Sequence, residues 1–364
     1  MFWLFVSAVI FMNIYDWWRL RCAFLARFTS TSLVLLFFIL FALLSPMFVN
    51  RSQSILLRAW CQFCWIWLAW SFWLACSFVF MDVLNLLVGC VSHLLDKDVF
   101  IYPMIPDFSK GVIALGLIVV ATVWGVAEAY SIKVKHVDVF SGFVPKSGYR
   151  IAFISDVHIG SACSWRKLKK IKSILDKQDA DLILCGGDLF DGRGEKEESM
   201  ARMLAMLKTT RKIGVYGNHE VYTGLDYSRR LFDAAGFKLL ENQTIDVDGW
   251  LRIYGETDPA NGRGPQAPLP GDRTFSILLK HRPDPWALGG YNLQLSGHSH
   301  GGQIFPFNFL VRMHYPYKEG ALRKLPGGTE MYVSNGVGVW GPPFRFMARP
   351  EITVFDFSQI GEVR

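Results

Sequence analysis

Residues 150–158 read Arg-Ile-Ala-Phe-Ile-Ser-Asp-Val-His. A short apolar run ends there in two side chains that can bind a metal. The pattern recurs. Residues 181–191 read Asp-Leu-Ile-Leu-Cys-Gly-Gly-Asp-Leu-Phe-Asp, and residues 212–220 read Lys-Ile-Gly-Val-Tyr-Gly-Asn-His-Glu. The runs Arg150–Ser155, Asp181–Cys185 and Lys212–Tyr216 are bounded by turn residues and predict strands. Between the first two, Leu168, Ile171, Ile174 and Leu175 share one helical face, with Lys167, Lys169, Lys170 and Lys172 forming a solvated face around it. Met200, Met203, Leu204 and Leu207 repeat the period before the third strand. Strand, helix, strand, helix, strand predicts β-α-β units and a largely parallel sheet. Ligands of such sheets sit at the carboxyl ends of the strands.

Those ends carry the chemistry. Asp156, Asp188 and Asn218 are 32 and 30 residues apart, one β-α-β unit each. Further strands are expected at Phe275–Leu279, Leu293–Leu295, Met331–Ser334 and Ile352–Phe357. The first of these leads into Lys280-His281-Arg282-Pro283, and the second into Gly297-His298-Ser299-His300-Gly301. Five of the eight histidines fall in such turns. Singly, each residue has an ordinary use: an aspartate can cap a helix, and an asparagine can serve a tight turn. Coincidence at successive strand ends points instead to one shared metal site. His298 and His300 are two residues apart, so in extended chain both imidazoles face the same way. Imidazole and oxygen ligands without thiolate suit manganese, iron or zinc.

These blocks resemble the calcineurin-like metallophosphoesterase superfamily, whose pattern is D-x-H, G-D-x-x-D, G-N-H-E/D, a lone H, then G-H-x-H. All five occur in order over residues 150–303. The resemblance implies an α/β fold, a β-sandwich flanked by helices in an α/β/β/α arrangement. It implies two divalent metal ions. Asp156, His158 and His300 would hold the first, and Asn218, His281 and His298 the second. Asp188 would bridge them. His219 would contact phosphate and help the leaving oxygen depart. Asp191 would support the site, and Arg193 would either touch phosphate or sit in a solvated loop. Two such ions, two carboxylates and a bridging hydroxide leave a net charge near +1, which attracts phosphate and supplies a nucleophile for in-line attack. Leu295–Gln303 and Tyr332–Ile352 also resemble a bacterial membrane-associated phosphodiesterase branch. Some of its members cleave UDP-diacylglucosamine in lipid A biosynthesis.

The chain outside the motifs divides unevenly. Residues 1–130 hold 13 charged side chains, seven basic and six acidic, against 56 in residues 131–364. Nine of the 13 tryptophans lie in the first part. This excludes a disordered chain, a coiled coil and a wholly soluble enzyme. A transmembrane anchor of about four helices is expected over residues 1–132, and the catalytic domain over 133–364. The candidate spans are 1–15, 28–50, 59–81 and 111–127, with 83–95 extending the third or lying on the interface. No basic residue precedes the first apolar run, so a cleaved signal peptide is not expected. The resemblance implies a bacterial inner-membrane protein, the four spans make it multi-pass, and basic residues summed over the loops favour a catalytic domain on the cytoplasmic face. The cluster Arg19, Arg21 and Arg27 argues the reverse.

Two features imitate other sites. Gly336-x-Gly338-x-x-Gly341 fits a dinucleotide fingerprint, but Pro342 and Pro343 leave no helix for pyrophosphate. Cys61 and Cys64 form a C-x-x-C inside an apolar helix with no second pair. The apolar stretch Ile304–Val311 follows two candidate ligands and is either a buried flap or a lip for an acyl chain or membrane. The expected function is a membrane-anchored, metal-dependent phosphodiesterase or pyrophosphatase, a hydrolase with a lipid-linked substrate and no nucleic-acid partner. The alternatives are a metal-binding scaffold or sensor without catalysis, and a transport protein with an accessory domain.

Overall fold

The computed structural model describes residues 2–24, 54–94, 105–145, 148–160, 162–262, 267–271, 273–285, 289–317 and 319–360. The described chain separates into two compact units, one ending at Trp124 and the other beginning at Gly125.

The first unit is helical. It holds α1 (Phe2–Phe24), α2 (Ile55–Leu94) and most of α3 (Asp107–Tyr130). Among the described residues, two helices are long and apolar enough to cross a membrane, Leu56–Leu94 and Asp107–Tyr130. The expected span over 28–50 lies outside the described residues. Helix α2 has 40 residues and is therefore about 60 Å long, well beyond the hydrocarbon thickness. Residues 83–94 thus continue the same helix as 59–81. Helix α1 also runs further than its uncharged stretch, taking in Asp16 and Arg19. Those charges find partners. Arg19 lies 2.8 Å and Lys110 2.6 Å from Asp82 Oδ1, and the Tyr15 hydroxyl donates to Asp82 over 3.0 Å. Ser71 donates to Asp16 over 2.5 Å. Paired charges of this kind tie helices together where single ones would be costly.

The second unit is a sandwich of two mixed six-stranded sheets with helices against it. The first sheet has the order β1 (Lys133–Phe140), β14 (Glu351–Ser358), β2 (Tyr149–Ile154), β4 (Leu182–Cys185), β6 (Lys212–Gly214) and β7 (Lys238–Leu239). The second has the order β12 (Leu322–Lys324), β13 (Glu330–Val333), β11 (Leu293–Ser296), β10 (Phe275–Lys280), β9 (Leu251–Glu256) and β8 (Gln243–Val247). A two-stranded ribbon pairs β3 (Ile159–Gly160) with β5 (Phe190–Asp191). Helices α4 (Trp165–Leu175), α5 (Glu195–Ala205), α6 (Asn218–Thr223) and α7 (Leu225–Ala234) follow the early strands, and α8 (Phe307–His314) follows β11.

Strand alternation explains the layers. Ile151 and Phe153 of β2 pack with Leu182, Ile277 and Leu295 between the sheets. Ala152 and Ile154 point the other way and pack with Leu168 and Ile171 of α4 and Leu204 of α5. Strands β2, β4 and β6 are parallel as their spacing predicts. Strand β14 departs from that order. It enters between β1 and β2, parallel to the first and antiparallel to the second. Nothing local specifies this neighbour, because β14 pairs with segments some 200 residues earlier in the chain.

One expectation for α4 fails. Lys167 does not belong to a solvated face. It is buried, and burial together with the nearby Arg345 pushes its ammonium down to about 7. Its position in α4 falls beside the Leu168–Ile171 stripe, so the helix buries a wider arc than its apolar residues mark. Helix α8 resolves the reading of the segment after the histidines. None of its residues is buried, so residues 307–311 are not a core flap.

Candidate metal centre

The site forms where the turns after β2, β4, β6, β10 and β11 meet. Five candidate ligands adopt left-handed backbone: Asp156 (φ 56°), His158 (50°), Asp188 (51°), His298 (70°) and His300 (51°). That conformation costs a non-glycine residue on the order of 1 kcal/mol. Cross-turn hydrogen bonds hold it. Asp156 N donates to Gly187 O and His158 N to Asp188 O, each over 3.0 Å. The turns after β2 and β4 are thus one structure, and their side chains are aimed at one point.

Close backbone approach needs glycine at two places. A Cβ on Gly297 would strike Ser155 Oγ and Asp156 Oδ2. A Cβ on Gly338 would strike the carbonyls of Asp156 and Val157, and Gly338 N donates to Asp156 O over 2.8 Å. A Cβ on Gly336 would meet Asp156 Cβ, so two of the glycines that imitate a dinucleotide fingerprint serve the aspartate turn.

The candidate ligands fall into two groups. The ligating atoms of Asp156, His158 and His300 lie within 4.8 Å of one another, as do those of Asp188, His281 and His298. Asn218 Oδ1 lies 3.2 Å from His281 Nε2, beside the second group. Asp188 Oδ2 stands between the groups, 3.1 Å from His281 Nε2 and 3.8 Å from His158 Nε2. A third set, His158, Asp191 and His219, also lies within 4.8 Å. It shares His158 with the first.

The donor set fits divalent cations. Ring nitrogens face ring nitrogens: His158 Nε2 and His300 Nε2 are 3.0 Å apart, and His298 Nδ1 and His281 Nε2 are 3.1 Å apart. One nitrogen of each pair must carry a proton when no cation lies between them. Metal binding therefore releases protons. Burial and the neighbouring His281 push His298 down to about 3, and burial with His158 and Arg345 holds His300 well below its ordinary value. Neutral imidazole is the form that ligates. Burial disfavours a charged His281, but the Asp188 carboxylate outweighs it and raises that imidazole to about 10. Asp188 is held well below the carboxylate range in turn: its burial is outweighed by His281 and His219. A cation in the second group would take over the role of the His281 proton.

Beside these groups, His219 Nδ1 meets Asp191 Oδ1 at 2.8 Å, and Asp191 Oδ2 lies 3.4 Å from His158 Nδ1. Burial opposes a charged His219, yet Asp191 and Asp188 raise it to about 9. Asp191 is also buried, and the charge of His219 brings it down to about 2. The His219 ring packs edge-on against Tyr222 and Trp340, at 5.4 and 5.7 Å between centroids. Both of those rings are exposed, so they mark the mouth of the site. Arg193 is placed differently. It donates to Thr223 O and lies over the Tyr227 ring at 5.6 Å.

Two site residues have roles that the sequence alone does not give. Glu220 is fully buried, and its carboxylate accepts from Asp188 N (3.0 Å), Phe190 N (2.8 Å) and Gly217 N (2.7 Å). It pins the turns after β4 and β6 together. The G-N-H-E/D block marks its position but not this role. Glu220→Gln puts an amide N–H against backbone donors and should destabilise the second unit by about 3 kcal/mol. Thermal unfolding of the metal-free chain checks this; an unchanged midpoint would show that the carboxylate is dispensable. Arg345 is the other. Its buried guanidinium donates to Gly338 O (2.8 Å), His300 O (3.1 Å), Ala348 O (2.9 Å) and His300 Nδ1 (3.1 Å). Burial pushes it down to about 10. In the sequence nothing separates it from the exposed Arg349.

Comparison with known proteins identifies a family. The calcineurin-like phosphoesterase family model matches residues 149–302. An uncharacterized metallophosphoesterase of Helicobacter pylori strain 26695 is 31% identical over 300 residues, covering 76% of this chain and 79% of that one. The chain belongs to this family. Another uncharacterized metallophosphoesterase, YkuE of Bacillus subtilis, is 33% identical over 270 residues, covering 67% of this metallophosphoesterase and 93% of the relative. A Danio rerio relative described as a transmembrane protein with a metallophosphoesterase domain is 30% identical over 275 residues, covering 68% of this chain and 62% of its own length.

Proposed function

We propose that this metallophosphoesterase is a membrane-anchored hydrolase that uses two divalent cations to cleave a phosphodiester or pyrophosphate bond of a lipid. The observation that carries the reading is the pair of ligand groups sharing Asp188, with the His219–Asp191 pair beside them. Asp156, His158 and His300 would hold one cation, Asn218, His281 and His298 the other, and Asp188 both. Manganese, iron and zinc all suit these ligands. When bound, the cations supply Lewis-acid charge to the phosphoryl oxygens and acidify water.

The chain's own residues supply the rest. Asp191 occupies His219 Nδ1, so the proton available for transfer is on Nε2. A raised imidazole keeps that proton at neutral pH and can give it to a departing oxygen. Burial of His219 and Asp191 keeps the pair dry, which strengthens it. The apolar helices favour a substrate presented in the bilayer. UDP-diacylglucosamine, a pyrophosphate with acyl chains, is the sharpest candidate.

Assay of the purified full chain with Mn²⁺ against lipid and nucleotide phosphoesters tests the reading. Hydrolysis of UDP-diacylglucosamine, or of another lipid diester or pyrophosphate, should need the metal and stop with chelator. Tight metal binding with no turnover on any phosphoester would favour the scaffold or sensor alternative.

A further inference from the structure

Among the described residues, helix α8 presents an apolar face that is left exposed. Phe309, Leu310 and Met313 are 55%, 53% and 81% exposed. At 100° per residue these three side chains span about 100° of the helix surface. They form one contiguous stripe. A soluble surface scatters such side chains singly; a stripe marks a contact.

The position of α8 says what the contact is. Helix α3 is one of the two helices among the described residues apolar enough to cross a membrane, and its last residues, Gly125–Tyr130, belong to the second unit. The loop 344–350 lies flush on those residues. Arg345 N donates to Gly125 O over 3.0 Å, and Met347 N and Ala348 N donate to the Glu128 carboxylate over 3.1 and 2.8 Å. The same loop holds the start of α8. Ile304 bridges to Phe346, and Phe305 N donates to Phe346 O over 2.9 Å. Helix α8 is therefore two contacts away from the point where α3 ends. Met347, on the connecting loop, is itself 64% exposed. Basic groups gather at the same end of α3. Lys170 donates to Tyr130 O over 2.6 Å, and Arg166 lies over the Tyr130 ring at 5.6 Å. Basic residues at the end of α3 match the anionic headgroups of a bilayer surface, and the apolar stripe of α8 matches its acyl boundary.

We infer that α8 docks into the bilayer surface at the exit of α3, seating Phe309, Leu310 and Met313 among the lipids. The inference rests on α3 being a membrane span. Its consequence is for the metal site. Helix α8 is joined to that site at both ends: Gln303 leads from His300 into it, and Tyr315 after it packs on the His298 ring at 5.9 Å. A docked α8 sets the mouth of the site against the lipid headgroups.

The test uses the full chain in vesicles of phosphatidylethanolamine and phosphatidylglycerol doped with a photoactivatable diazirine lipid. Adducts are mapped by peptide mass spectrometry. Peptides from 307–314 should be labelled at least tenfold above those of β8 and β9, and within about threefold of α2 and α3. The double variant Leu310→Asp, Met313→Asp should lose most of the α8 labelling with its thermal unfolding unchanged, because both positions are exposed. Labelled α2 and α3 with α8 at background would overturn the docking and leave the anchor standing; contact between two copies through α8 would give that result. Unlabelled α2 and α3 would remove the membrane span itself, and the inference with it.

Discussion

Asp188→Asn is expected to abolish turnover and to weaken metal binding at both ligand groups. The substitution keeps the shape and removes one negative charge from the atom that stands between His281 and His158. Two cations would then face a single carboxylate, Asp156. Loss of a supporting residue around a metal typically costs 10–100-fold in affinity, and a shared ligand should cost at least about 100-fold. The change reaches further than charge. His219 N donates to Asp188 Oδ1 over 2.9 Å, and an asparagine with its amide turned that way would oppose a donor with a donor. Without the carboxylate, His281 also loses the chief partner that raises it in the metal-free protein. Metal analysis on the purified variant, with a turnover assay on the same sample, decides the matter. Two ions retained with normal turnover would overturn the bridging assignment.

His219→Ala should leave the metal content intact and lower kcat by on the order of 10²–10⁴-fold, the usual contribution of a positioned proton donor. Asp191→Asn should act through the same imidazole and leave a distinct trace. His219 is raised to about 9 against an ordinary value near 6.5, chiefly because two carboxylates outweigh its burial. The protonated form is the donor, so activity should fall as pH rises through the folded value. Bound cations repel an imidazolium and lower that ceiling. Removing Asp191 lowers it further, so the alkaline limb of kcat/KM should move to lower pH. Stability follows the same signs in the metal-free protein. The gain from a raised His219 is complete below its ordinary value and is lost by about pH 9. The gain from Asp191, depressed to about 2, is present above the ordinary carboxylate value and is lost as pH falls toward 2. A fall in metal content in His219→Ala would instead place that residue among the ligands, consistent with its grouping with His158 and Asp191.

Much of the candidate site was legible because its side chains follow strands. A parallel strand delivers its last residues to one edge of the sheet, so Asp156, Asp188 and Asn218 recur at the spacing of a β-α-β unit and converge without help from distant segments. The same holds for His281, His298 and His300, which follow neighbouring strands of the second sheet. The roles of Glu220 and Arg345 were not legible. Each works by accepting from or donating to backbone of other turns, and backbone partners leave no mark in a sequence. The apolar half shows the same division. Hydropathy marks α2 and α3, but the pairing of Arg19 and Lys110 with Asp82 depends on which helix faces lie together.

The amino-acid order by itself determined the chemistry: which side chains could hold metals, at which strand ends, and which parts of the chain are apolar enough for a bilayer. Those properties are local, set by residue type and by periods of two and 3.6. Only the tertiary structure decided what depends on distant partners. It placed β14 between β1 and β2, buried Lys167 on a helix whose other lysines follow the pattern, and buried none of the residues of α8. Neighbour choice and burial are properties of the whole packing, because a side chain is buried by whatever the rest of the chain puts over it.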